Sequence, residues 1–343
     1  MKNHDQELLL NIENLHIHFV LKKETVKALN GVDIKVARGK TIGLVGETGA
    51  GKTTTALAIM NMIQKPQGRI IDGKITLDGI DILSKNRMEI ESIRGNLVSM
   101  IFQDPMSSLN PVLNVGEQIA EGLVLHKHMD RKEALVEAGE LLEKIGIPRS
   151  RACDYPHQFS GGMRQRVLIA MGLACNPKLL IADEPTTALD VTIQAQVLQL
   201  MRELKANFNT TIFMITHDFG IVAEMCDEVY VMYAGTVIER GTLTDIFDHT
   251  RHPYTEGLFN SLPDIEHRNR ELIPIHGRTV DPTNLPAGCP FWPRCNYICD
   301  KCRQDMPPEI LVSDTHGVKC WLYENTSENP LMRRDYVAEE NND

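Results

Sequence analysis

The feature that most constrains this chain is a glycine-rich loop that follows a short apolar run at residues 42–45. The loop consists of Gly46, Glu47, Thr48, Gly49, Ala50, Gly51, Lys52 and Thr53. Glycines allow backbone N–H groups to surround phosphate oxygens, Lys52 would neutralise the β- and γ-phosphates, and the Thr53 hydroxyl would bind Mg²⁺. The next residues, Thr54 to Met62, are typical of a helix whose positive N-terminal end faces the anion. This order predicts a nucleoside triphosphate site that includes Thr54.

Length and charge narrow the class of protein. The chain has 343 residues, enough for one large α/β domain and a smaller second domain. Its 36 basic and 46 acidic side chains give a net charge of −10, which argues against a nucleic-acid partner because phosphate backbones bind positive surfaces. No stretch approaches the roughly 18 consecutive apolar residues of a membrane span, and residues 1–7 lack the apolar core of a signal peptide. We therefore expect a chain that neither spans a membrane nor is exported.

Hydrophobic periodicity predicts alternating strands and helices. Strand patterns occur at residues 8–20, 32–38, 41–45, 97–102, 179–183, 211–216 and 229–233. Helical patterns occur near residues 131–146, 190–207 and 218–226. This alternation predicts an α/β fold with a parallel sheet between helices. Prolines become frequent after about residue 250, which places a domain boundary between residues 250 and 260.

A second half of the nucleotide site is predicted at two consecutive carboxylates. Residues 179–182 form an apolar strand pattern that leads into Asp183 and Glu184. A carboxylate at a strand end can hold Mg²⁺ through water, and the next one can polarise a water that attacks the γ-phosphate. We assign Asp183 to the metal and Glu184 to the general base. The alternative is that the pair simply begins a solvated loop.

Between these two halves, residues 159–166 read Phe-Ser-Gly-Gly-Met-Arg-Gln-Arg and precede an apolar helical pattern. A serine and two glycines before a helix suit a second anion cradle, because the hydroxyl, the bare backbone and the helix end all face phosphate. The segment resembles the signature of the ATP-binding cassette (ABC) ATPases, usually Leu-Ser-Gly-Gly-Gln. The resemblance implies that the signature of one subunit closes over the phosphate loop of another, so that turnover requires a dimer. The signature residues here are Ser160, Gly161, Gly162 and Met163.

The resemblance assigns the remaining parts of an ABC site in the order that the family requires. Gln103 resembles the glutamine that touches Mg²⁺ and the attacking water, and His217 resembles the switch histidine at the γ-phosphate. Residues 188–190 (Ala-Leu-Asp) resemble the D-loop that crosses to the partner, with Asp190 as its acidic residue. Phe19 either stacks on adenine, since an aromatic face suits a purine ring, or packs in the core as a strand residue. The implied fold is a P-loop NTPase of ABC type, with a mixed sheet core, an antiparallel β subdomain and a helical subdomain that carries the signature.

A closer resemblance covers about residues 8–325 and is carried by four segments. Residues 101–111, 159–166, 182–191 and 251–255 resemble the ATPases of dipeptide and oligopeptide importers, a family with relatives that import nickel. This implies an ATP-hydrolysing subunit at the cytoplasmic face of the cell membrane. Its implied partners are a second ABC ATPase and two membrane permease subunits, with an extracytoplasmic substrate-binding protein acting indirectly.

Residues 104–118 would line the groove for a permease helix, or they form an ordinary surface loop. We divide the chain into an ABC ATPase domain at residues 1–255, a small cysteine-rich C-terminal extension at residues 256–330 and a flexible tail at residues 331–343.

Cysteines in the extension predict a metal site. The four candidate ligands are Cys289, Cys295, Cys302 and Cys320. Gathered thiolates suit zinc or an iron–sulfur cluster, and the wide spacings weigh against zinc, which favours Cys-x-x-Cys pairs. Importer ATPases carry a similar quartet that resembles a structural [4Fe-4S] site. Cys299 could replace one of the four, and free thiols in a reducing compartment are the alternative.

Three functions compete at this stage. The first is an importer motor for short peptides, and the second is the same motor serving nickel or another small solute. The third is a soluble ABC ATPase that acts on nucleic acid or ribosomes. The acidic charge, the single cassette and residues 104–118 favour an importer. No residue of the ATPase touches cargo, so the sequence leaves the cargo open.

Overall fold

The computed structural model describes residues 7–187, 189–262, 274–326 and 331. The strands in these ranges are β1 (Leu8–Val20), β2 (Thr25–Ala37), β3 (Thr41–Val45), β4 (Gly68–Leu77), β5 (Ile80–Asp81), β6 (Val98–Ile101), β7 (Leu179–Asp183), β8 (Thr211–Ile215), β9 (Glu228–Tyr233), β10 (Thr236–Thr242), β11 (Ile310–Leu311) and β12 (Gly317–Val318).

The helices in the same ranges follow most of the predicted patterns to within a few residues. They are α1 (Lys52–Ile59), α2 (Arg87–Ile93), α3 (Pro105–Ser108), α4 (Val115–Lys127), α5 (Arg131–Lys144), α6 (Gly161–Leu173), α7 (Val191–Phe208), α8 (Phe219–Met225), α9 (Leu243–Phe247), α10 (Pro253–Asn260) and α11 (Asp300–Gln304). No helix within the described ranges has the length and apolar character needed to cross a bilayer.

The central sheet has eight strands in the order β11-β12-β10-β9-β3-β8-β7-β6. Strand β3 pairs in parallel with β8 and β9, and β7 pairs in parallel with β6 and β8. Strands β10 to β12 add antiparallel pairings at the other side. The sheet is therefore mixed, as predicted, with its parallel part formed by β6 to β9 and β3.

Alternation along the buried strands divides the core into two layers. In β8, Phe213 and Ile215 join one hydrophobic cluster, whereas Ile212 and Met214 join the other. All four side chains are almost completely buried. Successive side chains of a strand point to opposite faces, so a strand covered on both sides is apolar throughout. This explains why the four residues of β8 after Thr211 are all apolar.

The two layers correspond to the predicted subdomains. On one face lies a four-stranded antiparallel sheet in the order β2-β1-β4-β5. The predicted strand at residues 32–38 is the second half of β2. On the other face pack α4, α5 and α6, which begin at the capping residues Asn114, Asp130 and Ser160. Each cap accepts a hydrogen bond from a backbone N–H of the first turn, which stabilises the start of the helix. The structure thus has the mixed sheet core, the antiparallel β subdomain and the helical subdomain that the predicted fold class requires.

The C-terminal segment extends the central sheet. Strand β12 pairs with β10, and β11 pairs with β12. Tyr254, Phe291 and Cys302 belong to the same hydrophobic cluster as α4 to α6. A separate cysteine-rich domain is not confirmed, and the boundary at residue 255 stays a prediction. The predicted tail at residues 331–343 lies outside the described residues apart from Leu331.

Replacement of Phe213 by alanine should lower the free energy of unfolding by roughly 3–5 kcal/mol, because a fully buried ring leaves a cavity. Met88, which is 79 % exposed, is the matched control, and Met88→Ala should change stability by less than about 0.5 kcal/mol. Urea unfolding followed by circular dichroism measures both. Equal effects of the two substitutions would contradict the described core.

Candidate nucleotide site and cysteine cavity

Four loops that follow parallel strands converge at one edge of the central sheet. The glycine-rich loop follows β3, and Gln103 lies just after β6. Asp183 ends β7 and Glu184 follows it, while His217 lies just after β8. The carboxyl ends of parallel strands share one edge, and this edge is where open α/β sheets bind ligands. The topology therefore brings together residues that are far apart in the chain.

Two glycines of the loop are required by backbone geometry. Gly46 has a φ of 149°, and a Cβ there would lie 2.1 Å from the carbonyl oxygen of Met232. Gly51 has a φ of 104°, and a Cβ would lie 2.8 Å from the carbonyl oxygen of Ala28. Side chains at these positions would clash with backbone that cannot rotate away. The loop's tight curvature thus depends on these two glycines.

Lys52 lies at the start of α1 with its side chain turned back over the loop. Its Nζ donates hydrogen bonds to the carbonyl oxygens of Gly46, at 2.7 Å, and Glu47, at 3.1 Å. Burial lowers the pKa of Lys52, although the carboxylates of Glu184 and Asp183 act in the opposite direction. A buried ammonium beside carboxylates is suited to receive the negative charge of a phosphate.

Asp183 and Thr53 form the candidate magnesium pair. Asp183 is buried, and the side chain of Thr53 hydrogen-bonds to it. Burial raises the pKa of Asp183, whereas the hydrogen bond from Thr53 acts in the opposite direction. The structure therefore brings together the hydroxyl and the carboxylate that the sequence assigns to Mg²⁺.

Glu184 accepts hydrogen bonds on both carboxylate oxygens. Gln103 Nε2 donates to Oε2 at 2.7 Å, Thr187 Oγ1 donates to Oε2 at 2.9 Å, and His217 Nδ1 lies 3.0 Å from Oε1. Burial alone would raise the pKa of Glu184, but the hydrogen bonds from His217 and Thr187 outweigh it and the pKa is lowered. Because an ionised carboxylate only accepts hydrogen bonds, His217 carries a proton on Nδ1 in this contact.

The backbone at Glu184 adopts a left-handed conformation, with a φ of 48°. L-residues rarely adopt it, and such strain is most frequent at functional sites. The three predicted catalytic residues, Gln103, Glu184 and His217, are thus directly connected by hydrogen bonds.

These residues face a cavity of about 830 Å³. It is lined by Phe19, Val26, Ala28, Gly46, Glu47, Thr48, Gly49, Gly51, Lys52, Thr53, Thr54, Gln103, Glu184, Thr187, His217, Phe219, Leu258 and Pro282. The volume lies in the range of small-molecule and cofactor sites. Phe19 lines this cavity and also packs against a hydrophobic cluster, so it has core contacts, and its stacking on adenine stays a prediction. Ala50 is buried behind the loop.

The predicted signature does not line this cavity. Ser160 is exposed and caps α6 by accepting a hydrogen bond from the N–H of Met163 at 3.4 Å. A Cβ on Gly161 would meet no atom within 4 Å, whereas a Cβ on Gly162 would lie 2.4 Å from the side chain of Ile193. Packing of this chain therefore explains the glycine at 162 but not the one at 161.

The predicted D-loop is described only in part. Asp190 is exposed and caps α7 through the N–H of Ile193 at 2.9 Å, and it does not line the cavity either. Ala188 lies outside the described residues.

The four candidate metal ligands line one small cavity of about 10 Å³. Burial raises the pKa of Cys289 to about 12 and that of Cys295 to about 11, and it also raises the pKa values of Cys302 and Cys320. Cys299 is exposed, and its Sγ lies 3.2 Å from that of Cys302. As the side chains stand, no group of three or more Cys, His, Asp or Glu in the described part of the chain has the spacing to hold a metal ion.

Two buried N–H donors also belong to the cysteine cavity. His252 Nε2 and Trp292 Nε1 have no hydrogen-bond partner among the described residues, and both side chains line the cavity. The Nδ1 of His252 accepts a hydrogen bond from the N–H of Tyr254 at 3.0 Å, so the proton of the neutral ring lies on Nε2. Unpaired buried donors are rare and indicate a missing acceptor.

Several site residues were not foreseen from the sequence. Thr187 holds Glu184, while Leu258 and Pro282 bring the C-terminal half into the cavity lining. Arg294 and Tyr254 contact Glu47 of the glycine-rich loop. Thr187 lies within the segment 182–191 that already carried the family resemblance. Tyr254 lies within the segment 251–255, which also carried the resemblance, whereas the sequence offers no local signal for Leu258, Pro282 and Arg294.

Comparison with known protein families gives two adjacent matches. Residues 29–187 match the family described as ABC transporter, and residues 238–302 match the one described as Oligopeptide/dipeptide transporter, C-terminal region. The first match contains the glycine-rich loop and the carboxylate pair. The second contains three of the four candidate cysteine ligands.

Curated relatives resemble this chain over nearly its whole length. The oligopeptide transport ATP-binding protein AppD of Bacillus subtilis is 52 % identical over 92 % of this chain and 97 % of the relative. The dipeptide transport ATP-binding protein DppD of the same organism is 45 % identical over 96 % of this chain and 99 % of the relative. The oligopeptide transport ATP-binding protein OppD of Salmonella typhimurium is 48 % identical over 89 % of this chain and 91 % of the relative.

Solved structures resemble the ATPase part of the fold. The dimeric, post-hydrolysis state of the ATP-binding cassette MJ0796, bound to ADP and Pi, superposes with a TM-score of 0.62 at 26 % identity and covers 68 % of this chain and 98 % of its own. The structure of cbiO1 from Clostridium perfringens gives a TM-score of 0.61 at 30 % identity over 71 % of this chain and 92 % of its own. With the ATP-site geometry and the near full-length relatives, these similarities establish that the chain belongs to the ABC transporter ATP-binding proteins of the oligopeptide/dipeptide transport family.

Proposed function

We propose that this chain is the ATP-hydrolysing subunit of an importer for dipeptides or oligopeptides, acting peripherally at the cytoplasmic face of the membrane. The observation that carries the proposal is the Gln103–Glu184–His217 cluster facing a cavity beside the phosphate loop. The names of the relatives and the match to the oligopeptide/dipeptide transporter region support peptides as the cargo. Nickel or another small solute is the alternative cargo, and a non-transport ABC ATPase is the less favoured function.

The site residues divide the work of ATP hydrolysis. The backbone N–H groups of the loop and the Lys52 ammonium bind the β- and γ-phosphates. Lys52 then exchanges its hydrogen bonds to loop carbonyls for stronger ones to phosphate. Thr53, Gln103 and Asp183 would hold Mg²⁺, which neutralises the developing negative charge.

The attacking water is activated by the second group of residues. Glu184 is ionised and accepts the proton of the attacking water, which Gln103 helps to orient. His217 contacts the γ-phosphate from the end of β8. Pre-organised positioning of this kind supplies most of the catalysis in phosphoryl transfer.

A dimer would complete each site. The signature residues 160–163 do not line the cavity of their own chain, and Gly161 opens onto free space. A partner's signature helix would bring its N-terminal N–H groups to the γ-phosphate. The solved structure of the cassette MJ0796 is a dimer with ADP and Pi, which supports this arrangement by similarity. The partner is either a second copy or a related ATPase.

Contact with a helix of one of the two permease subunits is assigned to residues 104–118, which run into helix α4. Met106 and Val112 are 64 % and 75 % exposed, and Leu125 of α4 is 61 % exposed. Neighbouring apolar side chains that remain exposed are typical of a protein interface. An extracytoplasmic substrate-binding protein would then act through the permeases.

Glu184→Gln should abolish hydrolysis while leaving ATP binding intact, because the amide cannot accept a proton but keeps the shape of the side chain. The trapped ATP would then hold the dimer closed. Phosphate release and size-exclusion chromatography with ATP and Mg²⁺ measure the two effects. Glu13→Gln, at an exposed position of β1, is the control and should retain full activity. Retained turnover in Glu184→Gln would remove Glu184 from the role of base.

Thr187→Val should move the acid limb of the pH profile of kcat to higher pH. The hydrogen bond from Thr187 lowers the pKa of Glu184, so its loss raises the pKa at which the base becomes protonated and inactive. Thr187→Ser keeps the hydroxyl and should keep the native profile. An unchanged acid limb in Thr187→Val would argue that Glu184 does not limit the rate in this pH range.

The cysteine cavity is assigned to a structural [4Fe-4S] cluster, with Zn²⁺ as the alternative. Four thiols around one cavity are the required donor set, and two unpaired N–H donors match the acceptor sulfides of a cluster. Cluster binding would deprotonate the thiols and widen the cavity, since about 10 Å³ holds little more than one water. The residues that would hold the cluster are Cys289, Cys295, Cys302 and Cys320.

Anaerobically purified protein should absorb at about 400 nm, as iron–sulfur clusters with thiolate ligands do. Cys320→Ser should lose most of this absorbance and of the bound iron, whereas Cys153→Ser, at an exposed position outside the cavity, should keep both. Visible spectra with iron, sulfide and zinc analysis measure this. A colourless protein with one zinc per chain would reverse the assignment, and a folded protein without metal would remove it.

A further inference from the structure

Arg294, in the C-terminal segment, makes a two-point ion pair with Glu47 of the phosphate loop. Its Nη1 lies 2.8 Å from Glu47 Oε2, and its Nη2 lies 3.1 Å from Glu47 Oε1. The Arg294 side chain is 5 % exposed and that of Glu47 is 25 % exposed. The two residues are separated by 247 positions in the sequence. Paired N–H···O bonds between a guanidinium and a carboxylate fix orientation as well as distance.

The guanidinium is held from its own side as well. Its Nε donates to the carbonyl oxygen of His276 at 3.1 Å, Nη2 also approaches that of Ile275 at 3.4 Å, and Nη1 approaches Tyr233 Oη at 3.4 Å. Arg294 is thus anchored to the C-terminal segment and to β9 before it reaches the loop. Because the Arg294 side chain is held at both ends, it can fix the position of Glu47, whereas a freely rotating surface arginine cannot.

The backbone of Glu47 has a separate contact with the same region. Its N–H donates to Tyr254 Oη at 2.8 Å. Tyr254 is completely buried, and its ring packs against those of Tyr233, at a centroid distance of 4.7 Å, and Phe291, at 5.4 Å. Both the side chain and the backbone of Glu47 are therefore held by residues far away in the chain, Arg294 and Tyr254.

Glu47 in turn contacts the phosphate-binding lysine. Its carbonyl oxygen accepts a hydrogen bond from Lys52 Nζ at 3.1 Å. Leu258 and Pro282 of the C-terminal half line the same cavity, and the carbonyl oxygen of Pro282 accepts a hydrogen bond from the N–H of Lys27 at 2.9 Å. The C-terminal half thus borders the nucleotide cavity at two places, the phosphate loop and the wall near β2.

We propose that Arg294 is a positioning residue for ATP binding, which holds the phosphate loop in its binding conformation through Glu47. The inference rests on the proposed ATP site and adds a role for the C-terminal segment in nucleotide affinity. Pre-organisation of a loop raises its affinity for the ligand, because the entropic cost of ordering the loop is met during folding and not during binding. Arg294 itself does not line the nucleotide cavity.

Arg294→Ala in the full-length chain should weaken ATP binding by roughly 10-fold or more, the usual scale for truncating one partner of a buried hydrogen-bonded charge pair. Arg294→Lys keeps the positive charge but cannot make two parallel hydrogen bonds to Glu47. Its ATP affinity should therefore lie between those of the native chain and of Arg294→Ala. Arg278→Ala, at an exposed position of the same segment, is the matched control and should bind like the native chain. Titration with a fluorescent ATP analogue, alongside thermal unfolding, measures affinity and folding separately.

A double-mutant cycle distinguishes positioning from a general loss of stability. Glu47→Gln should weaken binding by itself, and adding Arg294→Ala to it should cost much less than it does in the native chain. Glu47→Gln also tests the pair from the loop side if Arg294→Ala does not fold. Native affinity in Glu47→Gln, native affinity in folded Arg294→Ala, or fully additive losses would overturn the inference. Failure of the native chain to bind ATP would instead overturn the proposed function.

Discussion

Parallel pairing of β3, β6, β7 and β8 is the constraint on which the rest of the structure depends. The registers join Leu44 to Ile215 and Ala182 to Met214, so the chain leaves all of these strands at the same edge. Short loops then suffice to bring a lysine, two carboxylates and a histidine to one cavity. Because both faces of these strands are covered, the sheet is rigid. The proposed catalytic side chains at its edge are therefore held in fixed positions.

Electrostatics at this edge are arranged by burial and by local hydrogen bonds. Asp183 and Lys52 are both buried. Burial raises the pKa of Asp183 and lowers that of Lys52, and both shifts favour the neutral form. Glu184 differs, since hydrogen bonds lower its pKa and keep it ionised. The adjacent carboxylates Asp183 and Glu184 thus have opposite pKa shifts, so the same site holds two carboxyl groups of different acidity.

Local motifs made most of the fold and much of the site predictable. The glycine-rich loop, the carboxylate pair and the strand pattern at residues 211–216 each depend on neighbours in sequence, and each lies where it was expected. The contact between Glu47 and Arg294 spans 247 positions and produces no pattern in the sequence, so only the folded structure shows it. Pairing of β12 with β10 was missed for another reason, because a two-residue strand is too short to produce an alternating pattern.

That short pairing has a consequence for the integrity of the chain. Strand β12 covers the side of β10 that faces away from β9, and the outermost strand, β11, has only two residues. Truncation of the chain before β12 would leave Glu239 and Arg240, the two β10 positions that pair with it, at an open edge, which other chains could extend. A truncation that begins before Arg294 would also remove that residue, the counter-charge of the partly buried Glu47 carboxylate. The C-terminal segment therefore covers part of the β10 edge, which limits edge-to-edge pairing there.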